Sequence, residues 1–507
     1  RAVAGGLQAR GLQPRQTVAL MLPTGADYFL GFFGILLAGG VPVPIYPPVR
    51  PSQLEEHLRR HARLLTNAET VMLITVPEAK LVARLLQSQV EALRHIVTVA
   101  ELQQAAAAWK AVPARAADLA FLQYTSGSTG DPKGVMLTHA NLLANLRAMG
   151  PHAGVSSNDV FVSWLPLYHD MGLIGAGLGS LYYAFPLVVM SPLSFLARPA
   201  RWLWAIHHHR GTLSAAPNFA YELCARAIQD HEIEGLDLSS WRMALNGAEP
   251  VSPATLERFV ARFGRYGFRS ESMAPVYGLA ECSVGLALQR PGRAPVIDRV
   301  RRDRFMATGR AKPADADDTT ALLFPSCGQP IPGHQIRIVD DQGRELPERQ
   351  EGKVEFSGPS TTAGYYRNPD ATRRLFPHGD AWLDSGDRGY LAGSDLYLTG
   401  RVKDLIIRGG RNIYPYELEQ AVGEIQGIRK GCVAVFASAD SATGSERLVV
   451  VAETRATQPE ALDRLRQQIQ SAGVDLLGLP PDTVVLAPPR SVLKTSSGKI
   501  RRAALRE

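Results

Sequence analysis

Residues 124–134 constrain the fold of this chain more than any other segment. They are rich in glycine and hydroxyl groups, follow an apolar run typical of a buried strand (residues 119–122), and precede a helical pattern that opens near Thr138-His139. Glycine permits positive φ and close approach to an anion, hydroxyl and backbone N–H groups donate hydrogen bonds, and Lys133 adds a positive charge. We therefore predict a phosphate-binding loop between a strand and a helix. The alternative is a flexible Ser/Gly linker, but linkers rarely lie between a buried strand and a helix.

Short apolar runs alternate with helical patterns in the first half of the chain, at residues 18–22, 71–75 and 95–99. This alternation predicts an α/β fold with mainly parallel sheets. The period changes to two at residues 333–340 and 352–356, which indicates the strands of a smaller β subdomain.

A domain boundary is predicted near Lys403, since 507 residues are too many for one ordinary core. Residues 1–402 would form a large N-terminal domain, and residues 403–507 a small mobile α+β domain. The chain begins at Arg1, without methionine, inside a helical pattern. We expect it to be a piece of a longer multidomain protein.

Composition excludes several classes of protein. The net charge of +7 is small for this length and no Lys/Arg run is interleaved with aromatic residues, so no nucleic-acid partner is expected. Four cysteines without metal-ligand spacing indicate reduced thiols and a cytoplasmic protein. The uncharged stretches 28–49 and 171–197 are broken by glycine and proline. They predict buried helix–strand pairs and no stable membrane insertion.

Later motifs resemble those of the adenylate-forming superfamily, which includes acyl-CoA synthetases, fatty acyl-AMP ligases and peptide-synthetase adenylation domains. They are Asn246-Gly247-Ala248-Glu249, Val276-Tyr277-Gly278-Leu279-Ala280-Glu281, Trp382-Leu383-Asp384-Ser385-Gly386-Asp387, Gly400-Arg401-Val402-Lys403-Asp404 and Ser496-Ser497-Gly498-Lys499-Ile500. Each motif alone is weak evidence, but the five follow the order of the superfamily over nearly the whole chain. The resemblance implies that ATP converts a carboxylic acid into an acyl-adenylate, with release of pyrophosphate.

The resemblance also implies roles for single residues. Those implied to bind ATP are Thr125, Ser126, Gly127, Ser128, Thr129, Gly130, Lys133, Gly247, Ala248, Glu249, Tyr277, Gly278, Ala280, Asp387 and Arg401. Glu281 is implied to hold Mg²⁺, Lys499 to be the catalytic lysine, and Lys403 to be the hinge of the small domain. Mg²⁺ and a lysine ammonium group neutralise charge on the phosphoryl oxygens in the transition state.

One position departs from the pattern of the superfamily. Many relatives have threonine just before the magnesium-binding glutamate, where this chain has Ala280. One hydrogen bond to phosphate is then missing, unless Ser283 or the phosphate loop replaces it.

Residues 42–48, 165–175 and 216–221 resemble the fatty acyl-AMP ligase branch. In relatives, the histidine of the second segment lies near the carboxylate, so His169 is expected to orient or gate the substrate. A core histidine at a strand–helix turn is the alternative. Residues 171–182 and 219–223 are mostly Gly, Leu, Tyr and Phe, which fits a fatty acid. Glu222, the one charged residue of these two segments, is expected to face solvent; the alternative is a carboxylate that meets the amine of an amino-acid substrate.

The acceptor of the acyl group is left open by two conflicting signals. Residues 291–320 form a long polar stretch that resembles the insertion of acyl-AMP ligases, although a solvated loop of no consequence is the alternative. Residues 408–415 instead resemble the CoA-ligase pattern. We expect the phosphopantetheine thiol of an acyl carrier protein, with CoA as the alternative. A non-catalytic nucleotide- or lipid-binding module is a remote alternative.

Overall fold

The structure, a computed structural model, describes residues 1–47, 54–105, 108–125, 133–379, 381–408, 411–439, 446–477, 479–494 and 500–506. The chain divides into two compact units, each discontinuous in sequence. The first comprises Arg1–Pro295, Cys327–Gln335 and Phe356–Leu383, and the second Val296–Ser326, Ile336–Glu355 and Asp384–Glu507. The boundary near Lys403 stays a prediction.

The helices and strands of the described residues are numbered in chain order. The helices are α1 (Ala2–Ala9), α2 (Ala26–Leu37), α3 (Leu54–Asn67), α4 (Lys80–Gln87), α5 (Val99–Gln104), α6 (His139–His152), α7 (Gly179–Tyr183), α8 (Pro192–Ala197), α9 (Ala200–His208), α10 (Asn218–Ala227), α11 (Pro253–Phe263), α12 (Arg302–Thr308), α13 (Pro369–Leu375), α14 (Pro415–Gly423), α15 (Pro459–Leu477) and α16 (Arg502–Arg506). The strands are β1 (Thr17–Met21), β2 (Val41–Pro44), β3 (Met72–Thr75), β4 (His95–Val97), β5 (Leu119–Thr125), β6 (Lys133–Thr138), β7 (Phe161–Ser163), β8 (Leu187–Val189), β9 (Leu213–Ala216), β10 (Met243–Asn246), β11 (Met273–Tyr277), β12 (Ala287–Leu288), β13 (Ile297–Val300), β14 (Leu322–Pro325), β15 (Gln329–Pro330), β16 (Gln335–Val339), β17 (Gly352–Ser357), β18 (Leu383–Ala392), β19 (Asp395–Arg401), β20 (Ile406–Arg408), β21 (Arg411–Ile413), β22 (Ile428–Ala439), β23 (Glu446–Thr454) and β24 (Thr483–Ala487).

The first unit contains two sheets built mainly from parallel strands. One has the order β2-β1-β3-β4, and all its pairs are parallel. The other has the order β15-β12-β11-β10-β9-β7-β8, in which β7 to β11 are parallel and β12 and β15 form an antiparallel edge. The predicted α/β fold is therefore confirmed.

Burial explains why the apolar runs were readable as strands. Every residue of β1 is buried, and β1 pairs in parallel on both sides. Parallel strands buried on both faces have continuous apolar sequences. The runs at residues 18–22, 71–75 and 95–99 correspond to β1, β3 and β4.

An aromatic core holds α9 and α10 against the second sheet. Trp202 and Trp241 are fully buried, and their indole N–H groups donate to Ser214 Oγ at 2.9 Å and to the backbone oxygen of Met243 at 3.0 Å. The hydroxyl of Tyr221 donates to the backbone oxygen of Leu245 at 2.9 Å. Because buried aromatic rings with satisfied polar atoms stabilise strongly, this core fixes the strand ends near β9 and β10.

The second unit contains the sheets β16-β17-β18-β19 and β22-β23-β24 and the pairs β13-β14 and β20-β21. The period-two segments correspond to β16 and β17, as predicted. Leu418, Val422, Leu465 and Ile469 from α14 and α15 are buried in one apolar core with residues of β22 and β23.

The loop at residues 124–134 lies between two strands, which corrects the prediction of a strand followed directly by a helix. Antiparallel β5 and β6 place Thr125 opposite Lys133. Helix α6 begins at His139 with Thr138 as its N-cap, as the sequence predicted. Strand β6 pairs mainly with β5 and has a further backbone partner, Tyr365, that is distant in the sequence.

Residues 291–320 contain more regular structure than a polar loop. They include β13, which pairs with β14, and the helix α12. Val300 and Phe305 are fully buried in a cluster with Tyr390 and Tyr397. The alternative considered from sequence, a solvated loop of no consequence, is therefore excluded for this part of the stretch.

The two uncharged stretches fold as the sequence predicted. Residues 28–49 contribute to α2 and β2, and residues 171–197 form the π-helix Met171–Leu178 followed by α7, β8 and α8. Within the described part of the chain, no helix has both the length and the apolar character required to cross a bilayer.

Candidate functional site

The carboxyl ends of β9, β10 and β11 lie side by side in the first unit. The parallel register aligns Asn246 with Ala216 on one side and with Pro275 on the other. Ligands of open α/β sheets bind at this edge. The segment that begins at Asn246 and the pair Tyr277-Gly278 both lie here, so the two segments that the resemblance implies to contact adenine share one edge of the sheet.

The turn after β10 is held in an uncommon backbone conformation. Ala248 has a φ of +66°, in the left-handed region that side chains rarely adopt. The next residue, Glu249, accepts a hydrogen bond of 2.6 Å from the backbone N–H of Phe219 in the first turn of α10. A carboxylate is stabilised at a helix N-terminus, so this contact ties the turn to α10.

Gly278 is required by close backbone packing. A Cβ atom at this position would lie 1.7 Å from the backbone oxygen of Val284. The backbone of residues 278–285 therefore folds back on itself directly after β11. This folded segment contains the turn that carries Glu281.

We expect Gly278→Ala to lower the free energy of unfolding by about 3 kcal/mol or more, because overpacking against backbone is relieved only by moving it. Gly175→Ala is the matched control, because a Cβ there meets no atom within 4 Å. It should change stability by no more than about 1 kcal/mol. Urea unfolding of both variants measures the difference, and equal midpoints would contradict the packing argument.

Glu281 and Lys133 are brought together through Tyr365, a residue that the sequence analysis missed. Glu281 lies in the turn Ala280–Cys282, and its Oε1 accepts a hydrogen bond of 2.7 Å from the hydroxyl of Tyr365. Lys133 Nζ lies 5.2 Å from the centroid of the Tyr365 ring. No local pattern points to Tyr365, which is 84 residues from Glu281.

The donors at Glu281 fit a magnesium ion. The structure shows no group of three or more His, Cys, Asp or Glu among its described residues that could hold a metal by itself. Mg²⁺ is commonly bound by one or two carboxylates together with substrate phosphates. Glu281 with nucleotide oxygens is such a set, and its Oε2 accepts no hydrogen bond within the part of the chain described.

Ser283 does not replace the threonine that is missing at Ala280. Its side chain is fully buried, and its Oγ donates a hydrogen bond of 3.0 Å to the backbone oxygen of Ser360. The hydroxyl is therefore engaged inside the protein, which removes one of the replacements considered from sequence.

In the second unit, Asp387 and Arg401 face each other across β18 and β19. Arg401 Nε lies 3.4 Å from Asp387 Oδ1, and the backbone N–H of Asp387 donates to Ser385 Oγ at 3.1 Å. Burial raises the pKa of the neighbouring Asp384 carboxyl. The pair offers a carboxylate and a guanidinium, the groups that ribose hydroxyls and phosphate require.

The predicted hinge, Lys403, is exposed in the short turn Val402–Asp404. Asp404 forms a 2.6 Å ion pair with Arg502, which also binds Glu419 in α14 at 2.6 Å. Arg502 lies two residues after Ile500, the last residue of the lysine motif, and is itself tied to the segment beside the predicted hinge. Lys499 itself and the phosphate-loop residues 126–130 (Ser126, Gly127, Ser128, Thr129 and Gly130) lie outside the described residues.

His169 lies at a strand–helix turn, directly before the π-helix. Its backbone N–H donates to Pro166 and its backbone oxygen accepts from Leu173. The side chain is half-buried, and its ring lies 5.1 Å from that of Tyr168, which is 6.0 Å from the ring of Tyr46. Burial raises the pKa of Tyr168 to about 12, so this phenol is neutral at physiological pH. Tyr46 and Tyr168 belong to two of the three segments that resemble fatty acyl-AMP ligases, and these segments thus lie next to each other beside His169.

Glu222 is not solvent-facing, and that prediction was wrong. Only 12% of its side chain is exposed. Arg226 and Arg258 both form ion pairs with its carboxylate, and Thr255 Oγ1 donates to Oε2 at 2.8 Å. The carboxylate is thus neutralised within the protein by two guanidinium groups.

Comparison with known proteins places the chain in a family. The sequence model described as "AMP-binding enzyme" matches residues 1–366. The chain therefore belongs to the family of AMP-binding enzymes, which confirms the predicted superfamily.

Individual relatives show which kinds of AMP-binding enzyme the chain is similar to. The chain is 35% identical, over 525 aligned positions, to the medium-chain-fatty-acid–[acyl-carrier-protein] ligase JamA of Moorena producens (strain JHB), covering 100% of this chain and 87% of JamA. A solved structure from studies of the fatty acyl-adenylate ligases of E. coli and L. pneumophila is 33% identical with a TM-score of 0.94, covering 100% of this chain and 90% of that one. The fatty acyl-adenylate ligase of L. pneumophila in complex with acyl adenylate and pyrophosphate is 34% identical with a TM-score of 0.74, covering 100% and 88%.

Proposed function

We propose that this protein uses ATP and Mg²⁺ to convert a fatty acid into an acyl-adenylate and then transfers the acyl group to the phosphopantetheine thiol of an acyl carrier protein. The observation that carries the proposal is the contact of Tyr365 with both Lys133 and Glu281. Glu281 lies four residues after the end of β11. The similarity to fatty acid ligases and to a structure with bound acyl adenylate and pyrophosphate supports it.

The chemistry matches these residue types. A carboxylate oxygen of the fatty acid attacks the α-phosphorus, a new P–O bond forms, and the bond to the departing pyrophosphate breaks. Negative charge is spread over the phosphoryl oxygens, so catalysis depends on positioning and on cations. Lys133 and Lys499 are proposed to supply fixed positive charge, and Asp387 and Arg401 to orient the nucleotide. Bound Mg²⁺ would neutralise charge on phosphate oxygens beside Glu281.

The ion pairs of Glu222 favour a fatty acid over an amino acid as the substrate. An amino-acid substrate would need a carboxylate to meet its amine, and Glu222 is the charged residue of the predicted acyl region. Its pairing with Arg226 and Arg258 already satisfies that charge. Leu173 and Ile174 in the same region are apolar and pack in the protein core, so the surroundings of the proposed acyl site are apolar.

Contacts of α12 support a carrier protein as the acceptor. In the second unit, Arg302 binds both oxygens of Glu417 in α14, beyond the predicted hinge. The Phe305 ring lies 5.7 Å from that of Tyr414, and Met306 joins an apolar core with residues of α14. We propose that these contacts restrain the swing of the small domain about Lys403, which thiol transfer requires. A docked carrier offsets the restraint by its own contacts and high effective concentration.

We expect the unmodified protein to load a holo-carrier or release acyl-AMP and to make little acyl-CoA. Arg302→Ala combined with Met306→Ala should raise acyl-CoA formation about tenfold or more, because removing one partner of a part-buried ion pair costs more than the ~1.4 kcal/mol that shifts an equilibrium tenfold. Adenylation should be nearly unchanged. An assay with CoA and holo-carrier side by side measures both products.

The control for this variant is Arg304→Ala, on the same helix. Arg304 is largely exposed, with a 3.9 Å ion pair to the neighbouring Asp303, so its loss should not raise acyl-CoA formation. Efficient acyl-CoA synthesis by the unmodified protein would contradict the proposal and favour a fatty acyl-CoA ligase. A cytoplasmic location and a place in a longer multidomain protein stay predictions.

A further inference from the structure

Tyr365 contacts two groups of the candidate site that carry opposite charges, the Glu281 carboxylate and the Lys133 ammonium group. Its hydroxyl donates to Glu281 Oε1 at 2.7 Å, and its ring lies below the ammonium group of Lys133, with 5.2 Å between Nζ and the ring centroid. The side chain is 7% exposed. One buried residue therefore contacts the predicted magnesium carboxylate and the lysine at the end of the phosphate loop.

The backbone around Tyr365 is fixed to the strand that carries Lys133. Tyr365 forms an antiparallel bridge with Val135, and the N–H of Tyr366 donates to the backbone oxygen of Gly134 at 2.7 Å. The N–H of Tyr365 donates to Thr372 Oγ1 at 3.0 Å, which ties it to the first turns of α13. The position of the phenol ring is thus set by β6.

The same segment also fixes the turn that carries Glu281. The N–H of Thr362 donates to the backbone oxygen of Glu281 at 2.8 Å, and Thr362 Oγ1 donates to the backbone oxygen of Met136 at 2.7 Å. Residues 362–366 therefore join β6 and the Glu281 turn into one rigid arrangement.

We propose that Tyr365 is a positioning residue for the magnesium site. Its hydroxyl holds Oε1 of Glu281, so Oε2 would be available to bind Mg²⁺, and its ring holds the ammonium group of Lys133 through a cation–π contact. Hydrogen-bond partners of metal ligands typically affect metal affinity by about 10–100-fold. This inference rests on the proposed function, because it assumes that Glu281 binds the metal.

Tyr365→Phe removes the hydroxyl and keeps the ring. The readout is the affinity for Mn²⁺, a probe for Mg²⁺, titrated calorimetrically into protein saturated with α,β-methylene-ATP, whose α–β bond cannot be cleaved. We expect affinity for Mn²⁺ to fall about tenfold or more, and the Mg²⁺ concentration required for adenylation to rise in parallel. Tyr366→Phe is the matched control, since the hydroxyl of Tyr366 makes no hydrogen bond to Glu281 in the described structure, and its affinity should equal that of the wild type.

A second variant separates an effect through Glu281 from a general structural effect. If the hydroxyl acts on the metal through this carboxylate, Tyr365→Phe should change Mn²⁺ affinity little in a Glu281→Ala background, which has no acceptor for the hydroxyl, so the two substitutions will be non-additive. Full additivity, or wild-type Mn²⁺ affinity in folded Tyr365→Phe, would overturn the inference. The proposed function fails separately if the wild type shows no pyrophosphate exchange that depends on fatty acid.

Discussion

Replacing Lys499 by alanine should slow formation of acyl-adenylate by about 10²–10³-fold, which is the scale of losing one transition-state donor. The ammonium group is proposed to approach the α-phosphate only when the small domain closes, so its loss affects the transition state more than the bound substrate. ATP binding should therefore change little. Single-turnover measurement of acyl-AMP, combined with equilibrium nucleotide binding, distinguishes the two effects.

Lys494→Ala serves as the matched control for this substitution. Lys494 is an exposed lysine in the same C-terminal segment, and its removal changes the charge by the same amount. It should leave adenylation near the wild-type rate. Wild-type rates in Lys499→Ala would remove this lysine from the mechanism.

Replacing Glu281 by glutamine should reduce adenylation by about 10²-fold or more at low Mg²⁺, since charge stabilisation of this kind is worth several kcal/mol. The amide keeps the volume and can still accept the hydrogen bond of Tyr365, so the fold should be intact. High Mg²⁺ should restore part of the activity by mass action. A titration of the adenylation rate with Mg²⁺ measures the shift.

Glu271→Gln is the control, because Glu271 is an exposed carboxylate just before β11. Its Mg²⁺ dependence should match that of the wild type. If Glu281→Gln is fully active at low Mg²⁺, the metal site lies elsewhere.

The parallel sheets could be predicted from sequence because their signal is local. Strands buried on both faces, such as β1 and β3, are almost entirely apolar, with a single buried threonine at one end of each. The start of α6 was equally readable, because Thr138 supplies its own capping hydrogen bonds. Both signals, the continuous apolar run and the capping residues, are formed by residues that are adjacent in the sequence.

What the sequence could not predict depends on contacts between distant residues. Tyr365 was missed because its role depends on Lys133 and Glu281, both far away in the chain. Glu222 was misassigned because nothing in the α10 sequence shows that Arg258 of α11 would pair with its carboxylate. Such contacts form only when helices and strands pack, so no periodicity records them.

In the candidate site, too, local motifs were readable from the sequence and contacts between distant residues were not. Motif order predicts the adenine segment, the metal carboxylate and the ribose aspartate, and the structure places Lys133 and Glu281 against the same residue, Tyr365. It also shows that Ser283 is engaged with Ser360 and does not replace the missing threonine. The catalytic roles of these residues stay predictions that the substitutions above test.

The most direct test of the central claim is exchange of labelled pyrophosphate into ATP by the purified chain, without CoA or carrier protein. Adenylation is reversible before any thiol is involved, so this measurement isolates the first half-reaction. The account predicts exchange that requires both a fatty acid and Mg²⁺. Absence of exchange with fatty acids of any chain length, or exchange supported by amino acids instead, would contradict it.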